Sequence, residues 1–110
     1  MKVIAMSRSV LALAGFLVAA TSVASGANHS VGQRLQLFSP GTLKVKAGDT
    51  VVFKNDDKVT HHVYSLTAGQ EFNLKTQVAG EDVSHVFPKK GRVDIRCGLH
   101  AGMRLVITVS

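Results

Sequence analysis

The 110-residue sequence has no tryptophan, one tyrosine, two prolines and one cysteine, Cys97. A lone cysteine excludes an internal disulfide. It also excludes every metal site that takes two or more thiolates from one chain, which removes zinc ribbons and iron–sulfur clusters. Beyond residue 27, no stretch of a dozen residues carries apolar positions at helical spacing, so a helical bundle is excluded too. An Arg-rich block interleaved with aromatics is missing, which argues against a nucleic-acid partner. The one extended apolar run, Val10 to Ala20, is shorter than the roughly 20 residues that cross a bilayer core.

That run has a different use. Lys2 and Arg8 precede it and small residues follow, so residues 1–27 read as a secretory signal peptide, cut after Ala27 or Ala24. Export across a bacterial inner membrane and release into the periplasm is the expectation, with residues 28–110 forming one domain. The formal charge of the whole chain is +6. Lys2 and Arg8 belong to the leader, which leaves 11 basic and 7 acidic side chains in the domain. A mildly basic surface of this kind suits an acidic partner.

The domain reads as all β. Short segments rich in Val, Ile, Phe and Thr recur between turn residues, predicting strands over Gln33–Phe38, Leu43–Lys46, Thr50–Asn55, His61–Thr67, Glu71–Thr76, Val83–Phe87, Arg92–Cys97 and Met103–Val109. Pro40-Gly41, Ala47-Gly48-Asp49, Asn55-Asp56-Asp57, Ala68-Gly69, Ala79-Gly80 and Lys90-Gly91 supply the turns. In Arg92-Val93-Asp94-Ile95-Arg96-Cys97 the charged residues take one face, so Cys97 points inward with Val93 and Ile95. Met103, Leu105, Ile107 and Val109 likewise share a face, while Val106 implies some packing on the other. Two small sheets packed face to face would close a core from these residues.

The chemistry is concentrated in Cys97-Gly98-Leu99-His100-Ala101-Gly102-Met103, which places a thiolate, an imidazole and a thioether on one tight loop. Soft sulfur with imidazole favours copper, and two histidines, one cysteine and a weak axial methionine form the blue-copper set. The second imidazole has two candidates, His61 and His62. Adjacent strand residues face opposite ways, so only one can reach the metal. His85 reads as a structural or surface histidine. His29 lies near the new N-terminus, where an amino group and imidazole would bind copper(II) only after cleavage at the right bond.

These residues resemble a cupredoxin of the plastocyanin and amicyanin kind over nearly all of residues 31–110. Gly48-Asp49-Thr50-Val51-Val52-Phe53-Lys54-Asn55 resembles the family's approach to its first ligand, and Thr60-His61-His62-Val63 stands where the family has Pro-His-Asn-Val. The short gap before Met103 is similar to amicyanin's loop. The resemblance implies a cupredoxin-like Greek-key β-sandwich holding one copper ion on His61, Cys97, His100 and Met103. His62 then replaces an asparagine that tethers the cysteine loop, and Thr60 replaces a proline. It further implies a monomeric single-electron carrier rather than an enzyme. Its exposed His100 edge, beside Leu99, Ala101 and Gly102, would meet a transient protein donor and acceptor, each with an acidic docking surface. Copper storage or delivery would use much the same ligands. A nucleophilic cysteine would need a base oriented by a third group, and a copper-bound thiolate excludes that role. A sandwich without a metal would leave Cys97, His100 and Met103 with no joint purpose.

Overall fold

The computed structural model describes residues 26–110, and the expected leader, apart from Gly26 and Ala27, lies outside them. The described residues form strands and turns only: β1 (Asn28–Arg34), β2 (Leu37–Ser39), β3 (Thr42–Val45), β4 (Asp49–Asn55), β5 (His61–Ser65), β6 (Phe72–Gln77), β7 (Asp82–Phe87), β8 (Gly91–Cys97) and β9 (His100–Val109). They make a four-stranded sheet in the order β2-β1-β4-β7 and a five-stranded sheet in the order β3-β9-β8-β5-β6. β1 runs parallel to β4 and β3 parallel to β9, while the remaining pairs are antiparallel. The chain thus crosses between sheets instead of meandering, and the result is a β-sandwich.

Alternation along the strands builds the core. Val31, Val51, Phe53 and Phe87 project from the first sheet against Val63, Val93, Ile95, Met103, Leu105 and Ile107 of the second, all fully buried or nearly so. Burial of each such side chain contributes roughly 1.5–3 kcal/mol. Cys97 belongs to this interior set, as its place in the β8 alternation requires. Val106 is half-buried on the other face, where its N–H bonds to Gly41 O.

One predicted strand is not a strand. Residues 33–38 are a hairpin, because Leu35 and Gln36 take φ values of 53° and 57° and turn β1 back onto β2. Two consecutive positive φ values give the tight turn whose twist matches a hairpin, and Gly or Asn normally occupies it. Neither stands here, so the turn left no mark in the sequence. The Gln36 N–H is held at 3.0 Å by Asp57 Oδ2, a tertiary bond that offsets the local strain. β1 also starts earlier than predicted, at Asn28, because its parallel pairing with Thr50–Asn55 recruits polar residues that show no alternation. β9 likewise starts at His100 and not Met103.

At one pole, nearly buried Asp49 accepts bonds from Lys46 N, Ala27 N and His29 Nε2 at 2.8–2.9 Å. The Lys46 N–H, with help from His29, lowers its pKa to about 2. His29 is therefore engaged in closing the β3–β4 turn over the start of β1.

Between β6 and β7, at the open side of the sandwich, His85 stacks on Phe72 with centroids 4.0 Å apart and meets Phe87 edge-on at 4.8 Å. Burial depresses the His85 pKa. The folded chain thus prefers the neutral ring, and the unfolded chain takes up the proton first as pH falls through the ordinary histidine range near ~6.5, so stability is lost there. The urea midpoint of metal-free protein should fall between pH 7.5 and 5 (about two units around that pKa), and His85→Phe should remove part of the fall. An identical fall in both proteins would show that His85 carries none of it. Separately, Gln36→Gly should raise stability by about 1 kcal/mol by relieving the left-handed backbone, read from the same denaturation curves.

Candidate metal centre

The end of the sandwich opposite Asp49 gathers the sulfur and nitrogen donors. His61 opens β5 and is fully buried, Cys97 closes β8, and His100 opens β9 after a two-residue turn. Cys97 Sγ lies 3.7 Å from His61 Nδ1 and 3.6 Å from His100 Nδ1. The two imidazoles meet edge-on with centroids 4.9 Å apart, and the three donor atoms all fall within 4.8 Å of one another. Bonds of about 2.0–2.3 Å from a common ion span gaps of this size. One thiolate and two imidazoles therefore fit a small, soft-tolerant cation such as copper. Met103 is fully buried on the interior face of β9, in the same core cluster as Cys97.

Strand parity separates the adjacent histidines. His61 points inward and pairs with Gln77 across the β5–β6 ladder, while His62 points out through the sheet. His62 nevertheless serves the site through its backbone. Its N–H donates to Cys97 Sγ at 3.3 Å and its carbonyl accepts from Gly98 N at 2.8 Å, so the residue in the asparagine position tethers the cysteine loop with main-chain groups. Its ring lies over Gly98, where an added Cβ would come within 2.8 Å of His62 Nδ1. Asn73 Oδ1 fixes the ring by bonding Nε2 at 2.7 Å.

Asp57 is the functional residue that sequence reasoning missed. Its Oδ2 lies 2.8 Å from His61 Nε2 and also accepts the Gln36 N–H. These bonds, the Gln36 N–H foremost and the His61 ring next, lower the Asp57 pKa to about 2. An ionised carboxylate at Nε2 keeps the proton on that nitrogen, which turns the lone pair of Nδ1 toward Cys97. Asp57 is held in turn by a polar chain that crosses the sandwich. Its N–H bonds Asn55 Oδ1 at 2.9 Å, Asn55 Nδ2 bonds Val59 O and Gln77 O, and the Gln77 amide bonds Phe53 O and receives Gln33 Nε2 at 3.0 Å. Gln33, Asn55 and Gln77 are almost wholly buried, and Gln33 and Gln77 link the two sheets directly beneath the donors. In the sequence Asp57 was legible only as part of a turn triplet. The one available signal was an acid four residues ahead of a ligand-type histidine, a spacing that has meaning only once the loop between them is folded.

At the surface, Leu99 is 52 % exposed and Ala101 and Gly102 are exposed around the partly exposed His100. Leu35, beside the Gln36 N–H that bonds Asp57, and Val59, whose carbonyl accepts from Asn55 Nδ2, add further exposed apolar side chains at this end.

Comparisons with known proteins agree with this geometry. Residues 24–110 match the family model of copper binding proteins, plastocyanin/azurin family. The methylamine utilization protein MauL of Methylorubrum extorquens is 32% identical over 77 residues, covering 69% of this chain and 67% of that protein. A reduced amicyanin variant superposes with a TM-score of 0.68 at 30% identity, over 80% of this chain and 86% of amicyanin. Pseudoazurin from Hyphomicrobium denitrificans gives 0.65 at 30% identity over 76% of each chain. With a two-sheet sandwich, a Cys-His-His cluster at one end and a family match over the whole described domain, this chain belongs to the plastocyanin/azurin family of copper-binding proteins and is a small cupredoxin whose cofactor is copper.

Proposed function

We propose that the protein is a monomeric, periplasmic one-electron carrier in which His61, Cys97 and His100 hold a single copper ion and Met103 is a fourth, weaker ligand. The observation that carries this reading is the way the donors are fixed. His61 is held from behind by Asp57 and Cys97 Sγ is held by the His62 N–H, so these two donors are oriented by the fold. Bound copper supplies a Cu(I)/Cu(II) couple, and donors that need not rearrange keep the barrier to electron exchange low.

The residues divide the work. The Cys97 thiolate carries no proton, and the His62 N–H draws on its charge. Asp57 holds the far nitrogen of His61, which fixes the ring's orientation at the site. His100 is the partly exposed ligand, and its setting among Leu99, Ala101 and Gly102 suits brief, weak docking of a redox partner. Lysine and arginine side chains over the rest of the surface would steer an acidic partner, at a rate that falls with added salt.

The test is an optical spectrum after one equivalent of Cu(II), followed by ascorbate. An intense thiolate-to-copper band that bleaches and returns reversibly is expected, and Cys97→Ser should abolish it. His61→Ala should lose the band while His62→Ala keeps it. Tight Cu(I) binding without a reversible band would move the reading to copper storage or delivery. Asp57→Ala, which strips the acceptor from His61 Nε2, should lower copper affinity about 10- to 100-fold, with partial recovery in Asp57→Asn, measured by competition with a chromophoric chelator.

A further inference from the structure

Each sheet of the sandwich ends in two free edges, β2 and β7 in one, β3 and β6 in the other, and three of the four are guarded. β2 is three residues long and runs into Pro40. β3 has four residues, Lys44 among them, with Lys46 just beyond. β6 is broken by a register shift between its pairings with His62 and Tyr64, where Lys75 takes a φ of 64°. Shortness, proline, lysine and bulges are the devices that keep a sheet edge from pairing with another chain. β7 has none of them: its six residues hold an unbroken register with β4 and contain neither lysine nor proline.

The free side of β7 is set by the phase of its ladder. The Asn55 N–H donates to the carbonyl of Glu81, directly opposite it, at 3.0 Å. Bonded and non-bonded pairs alternate in an antiparallel ladder, so Val83, His85 and Phe87 turn their main-chain groups to β4. Those of Asp82, Ser84 and Val86 point the other way, and among the described residues nothing bonds them. The side chains of these three residues are exposed, Val86 to 49%. Glu81 and Asp82 lie at the metal end of the strand, and Lys89 and Lys90 follow it at the Asp49 pole. Among the described residues none of these four charges is in an ion pair.

We propose that the edge of β7 pairs with β7 of a second copy of this chain, antiparallel about a two-fold axis at Ser84, as a weak contact formed at high concentration. In this register Asp82 stands opposite the partner's Val86, and Val86 opposite the partner's Asp82, so every outward N–H and C=O of the edge finds a mate. A slip of one residue would set opposite faces of the strands together. A slip of two sets edge groups against Pro88, which has no N–H, or against Gly80, whose N–H is taken by Asn55 O. Antiparallel pairing also lays the Glu81-Asp82 end of each strand beside the Lys89-Lys90 end of the other, so the charges complement one another at both ends. One six-residue edge is small beside the roughly 1,000 Å² that a stable interface clears, and the carrier therefore stays monomeric when dilute. The two metal ends point in opposite directions, which leaves each His100 uncovered. The contact is independent of the electron-carrier reading, because β7 holds none of the metal donors.

The test is a concentration series on isotope-labelled copper(I) protein, from micromolar to millimolar, read by sedimentation equilibrium and by amide hydrogen exchange. The average mass should rise from one chain toward two and no further, and added salt should oppose the rise. Exchange should slow at Asp82, Ser84 and Val86, about tenfold where nine-tenths of the chains are paired. Val83, His85 and Phe87, bonded to β4 in either state, should not change. Ser84→Lys, which puts a charge at the centre of the edge, should abolish both effects while leaving the far-ultraviolet circular dichroism and the urea midpoint unaltered; Val86→Lys is the second variant should Ser84→Lys fail to fold. A mass that stays at one chain throughout would sink the proposal. So would slowed exchange centred on Leu99 and His100, which would place the contact at the metal end, or association that survives both lysine variants. The series repeated on metal-free protein should give the same edge protection even if the copper site proves not to carry electrons, so failure of that reading and failure of the pairing are distinguishable.

Discussion

The bond between Asp57 and His61 is the contact on which the metal end of this protein depends. One carboxylate oxygen reaches the far nitrogen of the buried His61 and the backbone of the β1–β2 hairpin at once. It therefore joins His61, on the five-stranded sheet, to a hairpin of the four-stranded sheet and sets which nitrogen of His61 faces the cysteine. Without it, a fully buried imidazole would face an unsatisfied N–H, a cost that interiors rarely tolerate. The carboxylate is affordable in this setting because backbone N–H groups and an imidazole surround it, which also explains its depressed pKa.

The sandwich supplies the stiffness behind that bond. Gln33 on β1 and Gln77 on β6 meet between the layers, and Gln77 is also bonded to Phe53 O, so three strands are tied at one level. Buried amide networks are valuable when satisfied and costly when not. Here a single atom, Gln33 Oε1, is left without a partner. Around the network the core is aliphatic and aromatic, so the loops carrying Asp57, His61, Cys97 and His100 sit on a base with little freedom to shift. That is what an electron-transfer site needs, since geometry that is fixed beforehand does not have to be reorganised when charge moves.

Much of this was legible in the sequence, for identifiable reasons. Strands whose faces differ in polarity announced themselves, as β8 and β9 did, and with them the inward direction of Cys97. The spacing of Cys97, His100 and Met103 marked the metal loop, and strand parity allowed only one of the two upstream histidines, His61 and His62, to reach it. The hairpin at Leu35-Gln36 was illegible because a tertiary bond, and not local turn chemistry, holds its backbone. The polar half of β1 was illegible because parallel pairing to β4 needs no alternation. Asp57 and the buried glutamines were hidden for the same reason: the bonds that give them meaning, Asp57 to Gln36 and Gln33 to Gln77, join residues 21 and 44 positions apart, which no local pattern encodes.

The fit of His62 over Gly98 bears on how the metal loop of this protein can be exchanged. Position 98 is confined by a side chain from another strand, since any Cβ there runs into the imidazole ring. A loop transplanted from a relative with a larger residue after its cysteine would push that ring off its seat and break its bond to Asn73. The backbone of His62 also holds the cysteine sulfur, so the disturbance would reach the ligand itself. Loop and β5 thus form one heritable unit in which residues 62 and 98 have to change together, and grafting studies on this scaffold should treat them as a pair.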